Sequence, residues 1–224
     1  MSHLPAAATT RLRDRLAAAP DGPLGVLHCG PLAVYLSVET VDGTPWALGV
    51  LAAGAARVPN GLRTALPHLA DLDVGSARLA SGELRLGHAP SQAVVRVTRL
   101  VDATVRPVPA APGGALDDVL AEIGRGDGLT PYGDDVACGW LATRYAAGLS
   151  LPAEQVRAAG RRTTLLSATL LDCALHGEVL PELAAWLAGQ GAAEESALIA
   201  VGASSGRGLL AGARLALGVE AAAA

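Results

Sequence analysis

The sequence has few aromatic side chains, few charges and few cysteines. Aromatic residues make up 3% of its 224 residues, phenylalanine is absent, and charged residues reach 17% against 51% hydrophobic. Its three cysteines, Cys29, Cys138 and Cys173, lie far apart and in no CxxC spacing. A structural zinc site or a disulfide framework is therefore not expected. We expect Cys29 and Cys138 to be small buried side chains.

Basic clusters and long apolar runs are also lacking, and this disfavours two classes of partner. The net charge is −4 and the arginines are scattered without interleaved aromatics, so nucleic-acid binding is not expected. No uncharged apolar stretch reaches the ~20 residues of a membrane span. Residues 1–19 lack the apolar run of a secretion signal. We therefore expect a soluble cytoplasmic protein.

The chain changes character near residue 112, and this change predicts an α+β fold with a β lobe first and a helical lobe second. Short apolar runs bounded by turn signals predict strands over residues 24–29, 33–38, 46–51, 77–79, 83–86 and 93–100. Later apolar residues recur with helical spacing and predict helices over residues 116–123, 134–147, 163–176, 181–187 and 209–217.

Prolines and glycines mark the expected junction between the lobes. Pro107, Pro109 and Pro112, followed by Gly113 and Gly114, break any regular element. The length suits one large domain or two small lobes that share a core. The predicted organisation is an N-terminal extension or helix over residues 1–22, a mainly β lobe over 23–111, a helical lobe over 112–218 and a tail over 219–224.

The run Gly-Arg-Gly-Asp-Gly-Leu-Thr-Pro-Tyr-Gly-Asp-Asp, residues 124–135, concentrates the chemistry of the chain. A glycine-rich loop that enters a helix presents N–H groups to an anion, and Thr130 would add a hydroxyl. Asp134 or Asp135 would bind Mg²⁺ or move a proton. In the structural alternative, the glycines only form a tight turn and the two carboxylates stabilise the helix N-terminus through its dipole.

Two familiar nucleotide-binding patterns do not fit this run. The loop has no lysine followed by Ser or Thr, which a Walker A motif requires, and its glycine spacing is wrong for a dinucleotide fingerprint. Thr130 and Pro131 instead make a good N-cap and first-turn pair for the following helix.

Two later segments carry hydroxyl groups near a helix start. In Gly202–Gly208, Ser204 or Ser205 would be an N-cap, or both would complete an anion site with the earlier loop. Arg207 would bind a carboxylate or lie on the surface. In the third helix, Thr163 or Thr164 would be the N-cap.

These motifs resemble the AllH-type family of bacterial proteins, whose signature reads Gly-Leu-Gly-Pro-Gly-Leu-Thr-Pro-Ser-Gly-Asp-Asp. The second loop is similar to the family's Gly-His-Ser-Ser-Gly-Trp/Phe-Asp, and the resemblance spans roughly residues 25–217. Positions that match the two motifs are Gly124, Gly126, Gly128, Leu129, Thr130, Pro131, Gly133, Asp134, Asp135, Ser204, Ser205 and Gly206.

The resemblance implies a single AllH-like domain and a subunit of oxamate carbamoyltransferase, from anaerobic allantoin breakdown. The enzyme would transfer a carbamoyl group between carbamoyl phosphate and oxamate, or a related small carboxylate, in a hetero-oligomer. Catalysis would fall to Asp134, Asp135 and Thr130, with Mg²⁺ on the two aspartates as the one candidate cofactor. The residues expected to bind the small anionic metabolite are Gly124, Gly126, Gly128, Gly133, Ser204, Ser205 and Gly206.

The sequence departs from the family pattern at several positions and so supports a second interpretation. Asp127 and Tyr132 replace the family's Pro and Ser, and Arg125 replaces an apolar residue. In the second loop the family's His, aromatic and Asp are replaced by Ala203, Arg207 and Gly208. The alternative is a non-catalytic subunit that binds an anionic metabolite or braces a larger complex.

Overall fold

The structure, a computed structural model, describes residues 2–109, 113 and 115–218. The chain forms two compact units that divide between Asp102 and Ala103. Pro112 and Gly114 of the predicted junction, and the predicted tail, lie outside the described residues. Over the described ranges, no helix is long and apolar enough to cross a membrane.

In its described part, the N-terminal unit consists of one nine-stranded sheet and one helix. The strand order is β2-β7-β8-β9-β1-β6-β5-β4-β3. The strands are β1 (Ser2–Ala8), β2 (Gly22–Pro23), β3 (Gly25–Cys29), β4 (Ala33–Glu39), β5 (Pro45–Leu51), β6 (Gly61–Thr64), β7 (Arg78–Ala80), β8 (Glu83–Leu86) and β9 (Ala93–Leu100), and the helix is α1 (Thr10–Ala18). All six predicted strands are present, and the α+β prediction is confirmed.

Strands β1, β2 and β6 were not predicted. β1 lies inside the sheet, parallel to β9 and antiparallel to β6, within the segment predicted as an extension or helix. Its Pro5 and three alanines give a weak strand signal, because both residue types are depleted in strands. β6 follows Asn60 directly, and an Asn-Gly step in a sequence is typical of a turn. Asn60 is in fact buried, and its side-chain amide donates to the carbonyl of Ala47 at 2.8 Å.

Alternating residues of the central strands form the core of this unit. Ala6, Ala8, Leu36 and Val50 are at most 3% exposed and belong to one apolar cluster with Leu12 of α1. Residues between them point to the opposite face, as strand geometry requires. Cys29 is exposed because it ends the edge strand β3, and its predicted burial is therefore wrong. Cys138 is buried as expected.

One residue interrupts the regular pairing of β1 with β9. Ala6 lies opposite Val97, and Ala7 lies opposite Arg99, so β9 carries one extra residue, Thr98. Such a bulge changes which face the following residues occupy.

The described part of the C-terminal unit is helical. Its helices are α2 (Leu116–Glu122), α3 (Tyr132–Ala146), α4 (Ala153–Ala159), α5 (Leu165–Leu175), α6 (Pro181–Gly189), α7 (Ala192–Ile199) and α8 (Ser205–Leu217), with a 3₁₀ turn over Gly160–Arg162. The five predicted helices are confirmed with small shifts at their ends, whereas α4 and α7 were not predicted. α3 begins at Tyr132 with Pro131 in the N-cap position, so Thr130 is not its N-cap.

Glycines allow α3 and α8 to pack with their backbones in contact. A Cβ on Gly139 of α3 would overlap the carbonyl oxygen of Leu209, and a Cβ on Gly212 of α8 would overlap that of Val136. Since even one methyl group does not fit, the two helices approach more closely than ordinary side chains permit. This contact aligns the N-terminal ends of the two helices.

We expect Gly139→Ala to destabilise the protein by about 1–3 kcal/mol or more, because the added methyl group forces the two helices apart. Gly189→Ala is the matched control, since Gly189 ends the exposed turn of α6 and an added Cβ would have no neighbour closer than 3.8 Å. Urea unfolding followed by circular dichroism measures both changes. Equal midpoints for the two variants would contradict the close packing of α3 and α8.

Candidate functional site

The first loop, residues 124–131, has a backbone that only glycine adopts easily. Gly124, Gly126 and Gly128 have φ angles of +87°, +108° and +100°. A Cβ on Gly124 would lie 2.6 Å from the carbonyl oxygen of Arg162, and one on Gly126 would lie 2.9 Å from the amide nitrogen of Tyr132. The glycines are therefore required by the shape of the loop and by its close neighbours.

Hydrogen bonds hold the first loop at both of its ends. The N–H of Gly133 donates to the carbonyl of Arg125 at 3.0 Å. The hydroxyl of Thr164 donates to the carbonyl of Leu129 at 2.7 Å and also accepts the N–H of Ser167 at 3.1 Å. Of the two predicted candidates, Thr163 and Thr164, the N-cap of α5 is therefore Thr164. It also links α5 to the first loop.

Asp134 connects the first loop to the segment before α5. Asp134 is 1% exposed, and its Oδ1 accepts a hydrogen bond from the N–H of Gly124 at 2.7 Å. Oδ2 accepts a short hydrogen bond from the hydroxyl of Thr163. Each oxygen therefore holds one segment of the chain. The sequence did not indicate this contact between Asp134 and Thr163, the residue that lies two positions before α5.

Asp135 has a different environment from its neighbour. The residue is 5% exposed, and Oδ2 has no hydrogen-bond partner within the described residues. Burial raises the pKa of Asp135 from 3.8 to about 7; the hydroxyls of Ser205 and Thr130 oppose this shift, and the charge of Asp134 adds to it. Near pH 7 this carboxyl is therefore divided between its neutral and ionised forms, as a group that exchanges protons at that pH must be.

The hydroxyls of Thr130 and Ser205 lie 2.9 Å apart and join two distant parts of the sequence. Thr130 belongs to the first loop, and Ser205 belongs to the second loop, residues 202–208. Both residues are half-buried, and the buried Asp135 lies beside them. The fold therefore brings together three of the predicted site residues as a carboxyl group backed against a pair of partly accessible hydroxyls.

The second loop turns into α8 through closely packed glycines. Ser204 occupies the N-cap position, but its side chain makes no capping hydrogen bond. A Cβ on Gly206 would overlap the carbonyl oxygen of Leu198, and a Cβ on Gly208 would lie 2.7 Å from Cβ of Asp135. Arg207 is exposed. The second loop therefore brings backbone, rather than bulky side chains, up to Asp135.

The remaining donors of the first loop are uncommitted. Within the described part of the chain, the N–H groups of residues 126–130 donate to no other group. No group of three or more His, Cys, Asp or Glu side chains that could hold a metal occurs among the described residues. The site thus offers backbone donors, two hydroxyls and two adjacent aspartates, and Mg²⁺ usually takes one or two carboxylates together with water and phosphate oxygens, so a metal on Asp134 and Asp135 stays a prediction.

Comparison with known proteins identifies the segment that contains this site. Residues 122–217 match the family model described as oxamate carbamoyltransferase subunit AllH. No curated protein and no solved structure matches the chain. The matched segment runs from the last residue of α2 to the last residue of α8 and includes both loops. The predicted resemblance to the AllH family is thereby confirmed over residues 122–217.

Proposed function

We propose that the protein is a subunit of a carbamoyltransferase that acts on carbamoyl phosphate and oxamate, or a related small carboxylate. The family match supports the reaction class. The observation that carries the proposal further is the buried carboxyl of Asp135 beside the Thr130–Ser205 hydroxyl pair, with a pKa of about 7. This arrangement lies entirely inside the matched segment.

The reaction requires a proton acceptor. The amide nitrogen of oxamate attacks the carbamoyl carbon, the bond from that carbon to the phosphate oxygen breaks, and phosphate leaves with the bonding electron pair. The nitrogen must then lose one proton. We assign its acceptance to the Asp135 carboxylate, with Ser205 or Thr130 passing the proton, because these half-buried hydroxyls hydrogen-bond to the buried Asp135.

Backbone donors would bind the anionic parts of the substrates. The uncommitted N–H groups of residues 126–130 lie next to the start of α3, whereas in the second loop those of Gly206 and Gly208 already donate to the carbonyls of Val201 and Ser204. Helix N-termini favour phosphate and carboxylate groups, and fixed N–H donors stabilise the oxyanion that develops on the carbamoyl group. Gly126 and Gly128 add no side chain over these donors, whereas the exposed Asp127 between them adds a carboxylate that an amino group or a cation of the substrate would have to offset.

Asp134 is assigned a positioning role. Its two oxygens hold Gly124 and Thr163, so it shapes the first loop without contacting substrate.

We expect Asp135→Asn to lower the transfer rate about 10²-fold or more, since it removes the proton acceptor without changing the shape of the side chain. The assay measures phosphate release from carbamoyl phosphate with oxamate, using the protein together with the subunits that co-purify with it. The wild-type rate should rise with pH to a plateau with an apparent pKa near 7. A pH-independent rate, or unchanged turnover in the variant, would contradict the assignment of Asp135 as the proton acceptor.

The same substitution should stabilise the folded protein at higher pH. Because the folded pKa of Asp135 is raised, its contribution is complete below pH 3.8 and is lost as pH rises through about 7. Thermal unfolding of Asp135→Asn and wild type should therefore agree near pH 4 and diverge up to pH 7, by a few kcal/mol, since one pKa unit corresponds to about 1.4 kcal/mol. Asp71→Asn, at a side chain that is 91% exposed, is the control and should follow wild type.

Removing both hydroxyls tests the relay. We expect Thr130→Val with Ser205→Ala to lower the transfer rate about 10²-fold, because the proton path and two donors are lost together. Ser196→Ala is the control, since the exposed Ser196 only donates to the carbonyl of Ala192 at 2.8 Å. If the double variant retains the wild-type rate, the hydroxyls are not part of the mechanism.

A second candidate function is a non-catalytic subunit that binds an anionic metabolite or braces a complex. The observation that favours it is the crowding at Gly208, where the family pattern has Asp. A Cβ there would lie 2.7 Å from Cβ of Asp135 and 3.1 Å from the carbonyl oxygen of Tyr132. An acidic side chain at this position is therefore excluded by packing, and the second loop brings no replacement carboxylate.

Ligand binding and turnover separate the two functions. Either function predicts that oxamate or phosphate raises the melting temperature of the isolated chain, with about 2.7 kcal/mol of added stability at a hundredfold excess over Kd. Only the catalytic proposal predicts that Asp135→Asn abolishes turnover of the complex while this ligand-induced shift persists. Full turnover by a complex that contains the variant would favour the non-catalytic subunit.

A further inference from the structure

A cleft on the N-terminal unit gathers arginines that are scattered in the sequence. This cleft, which we call the arginine cleft, has a volume of about 800 Å³. Its lining includes Arg57, Arg63 and Arg99. No acidic residue occurs among the described residues that line it. Three arginines therefore line one concavity of a chain whose net charge is −4.

The register of the sheet places two of these arginines on one face. Arg99 of β9 lies opposite Ala7 of β1, Ala7 lies opposite Arg63 of β6, and Arg63 lies opposite Leu51 of β5. Paired residues on neighbouring strands share a face, and strands lie about 4.8 Å apart, so Arg63 and Arg99 start roughly 10 Å from each other. Ala7 between them lines the cleft and contributes only a methyl group.

The arginines are held in part by the chain. Nη2 of Arg63 donates to the carbonyl of Arg57 at 3.0 Å, which ties the segment before β6 to the strand itself. Arg99 is exposed, and its side chain makes no hydrogen bond or ion pair within the described residues. The exposed Thr98 also lines the cleft and adds a hydroxyl. The cleft thus combines one anchored guanidinium with one that is available for a ligand.

We propose that the arginine cleft is a binding site for a small organic anion that carries at least two negative charges, such as a dicarboxylate or a phosphorylated carboxylate. Guanidinium groups bind carboxylate and phosphate oxygens through paired hydrogen bonds, and two long arginine side chains that rise from the same face, two strand spacings apart, can converge on one anion with charge at both ends. The volume is in the usual range for small-molecule sites. The lining has no aromatic side chain, so it lacks the stacking surface of a single-stranded nucleic-acid site. The proposal is independent of the carbamoyltransferase proposal.

Calorimetric titration of the full chain tests this site with oxalate, succinate, inorganic phosphate and carbamoyl phosphate as probes, at low ionic strength and with chloride at matched ionic strength as the reference. At least one dianion should bind saturably. Arg99→Ala and Arg63→Ala should each weaken that binding about tenfold or more, because each removes a charged hydrogen-bonding pair. Arg99→Lys, which keeps the charge but loses the fork, should give an intermediate value.

Arg96→Ala is the matched control. Arg96 lies in the same strand, pairs with Glu83 at 2.6 Å and does not line the cleft, so its removal should leave the dianion affinity unchanged. Circular dichroism verifies that each variant is folded. The proposal is overturned if no probe binds more tightly than chloride, or if the Arg96 and Arg99 variants lose affinity equally. This titration measures binding and not phosphate release, so its result is independent of the Asp135 assay. The arginine-cleft proposal and the carbamoyltransferase proposal can therefore be contradicted separately.

Discussion

The contact between the backbones of α3 and α8 is the constraint on which the candidate site depends. Gly139 and Gly212 allow it, because any side chain at either position would collide with a carbonyl oxygen of the other helix. The contact brings the starts of both helices together, and the loops that precede them meet there. The Thr130–Ser205 hydrogen bond, between residues 75 positions apart, follows from this helix packing rather than from either loop alone.

The two adjacent aspartates show how environment divides identical side chains between different tasks. Consecutive residues of a helix point in different directions. Asp134 consequently accepts hydrogen bonds from the N–H of Gly124 and the hydroxyl of Thr163, whereas Oδ2 of the buried Asp135 has no partner within the described residues. The first keeps the loop in shape, and the second has a pKa of about 7. A carboxyl pair can thus supply both a fixed anchor and a titrating group within one helical turn.

The sequence predicted what is local and missed what depends on pairing across the chain. The first loop, the helix after it and most strands were predictable, because glycine spacing and apolar periodicity are short-range signals. β1 was not, since its alanines and Pro5 carry no strand preference and its position follows from pairing with β6 and β9. The role of Thr163 and the convergence of Arg63 with Arg99 were equally invisible, because each requires the register or packing of distant elements.

The extra residue in β9, Thr98, decides on which face of the sheet the charge of Arg99 lies. Up to Val97 the strand keeps step with β1, and Val97 packs with Ala6 against the apolar cluster. With strictly continuous pairing, Arg99 would stand opposite Ala8, which is wholly buried in that cluster. Thr98 absorbs one position, and the phase of the strand inverts. A single inserted residue thereby converts what would be a buried, uncompensated cation into one that faces solvent, and it lets an arginine-bearing strand serve the core and the opposite surface in turn.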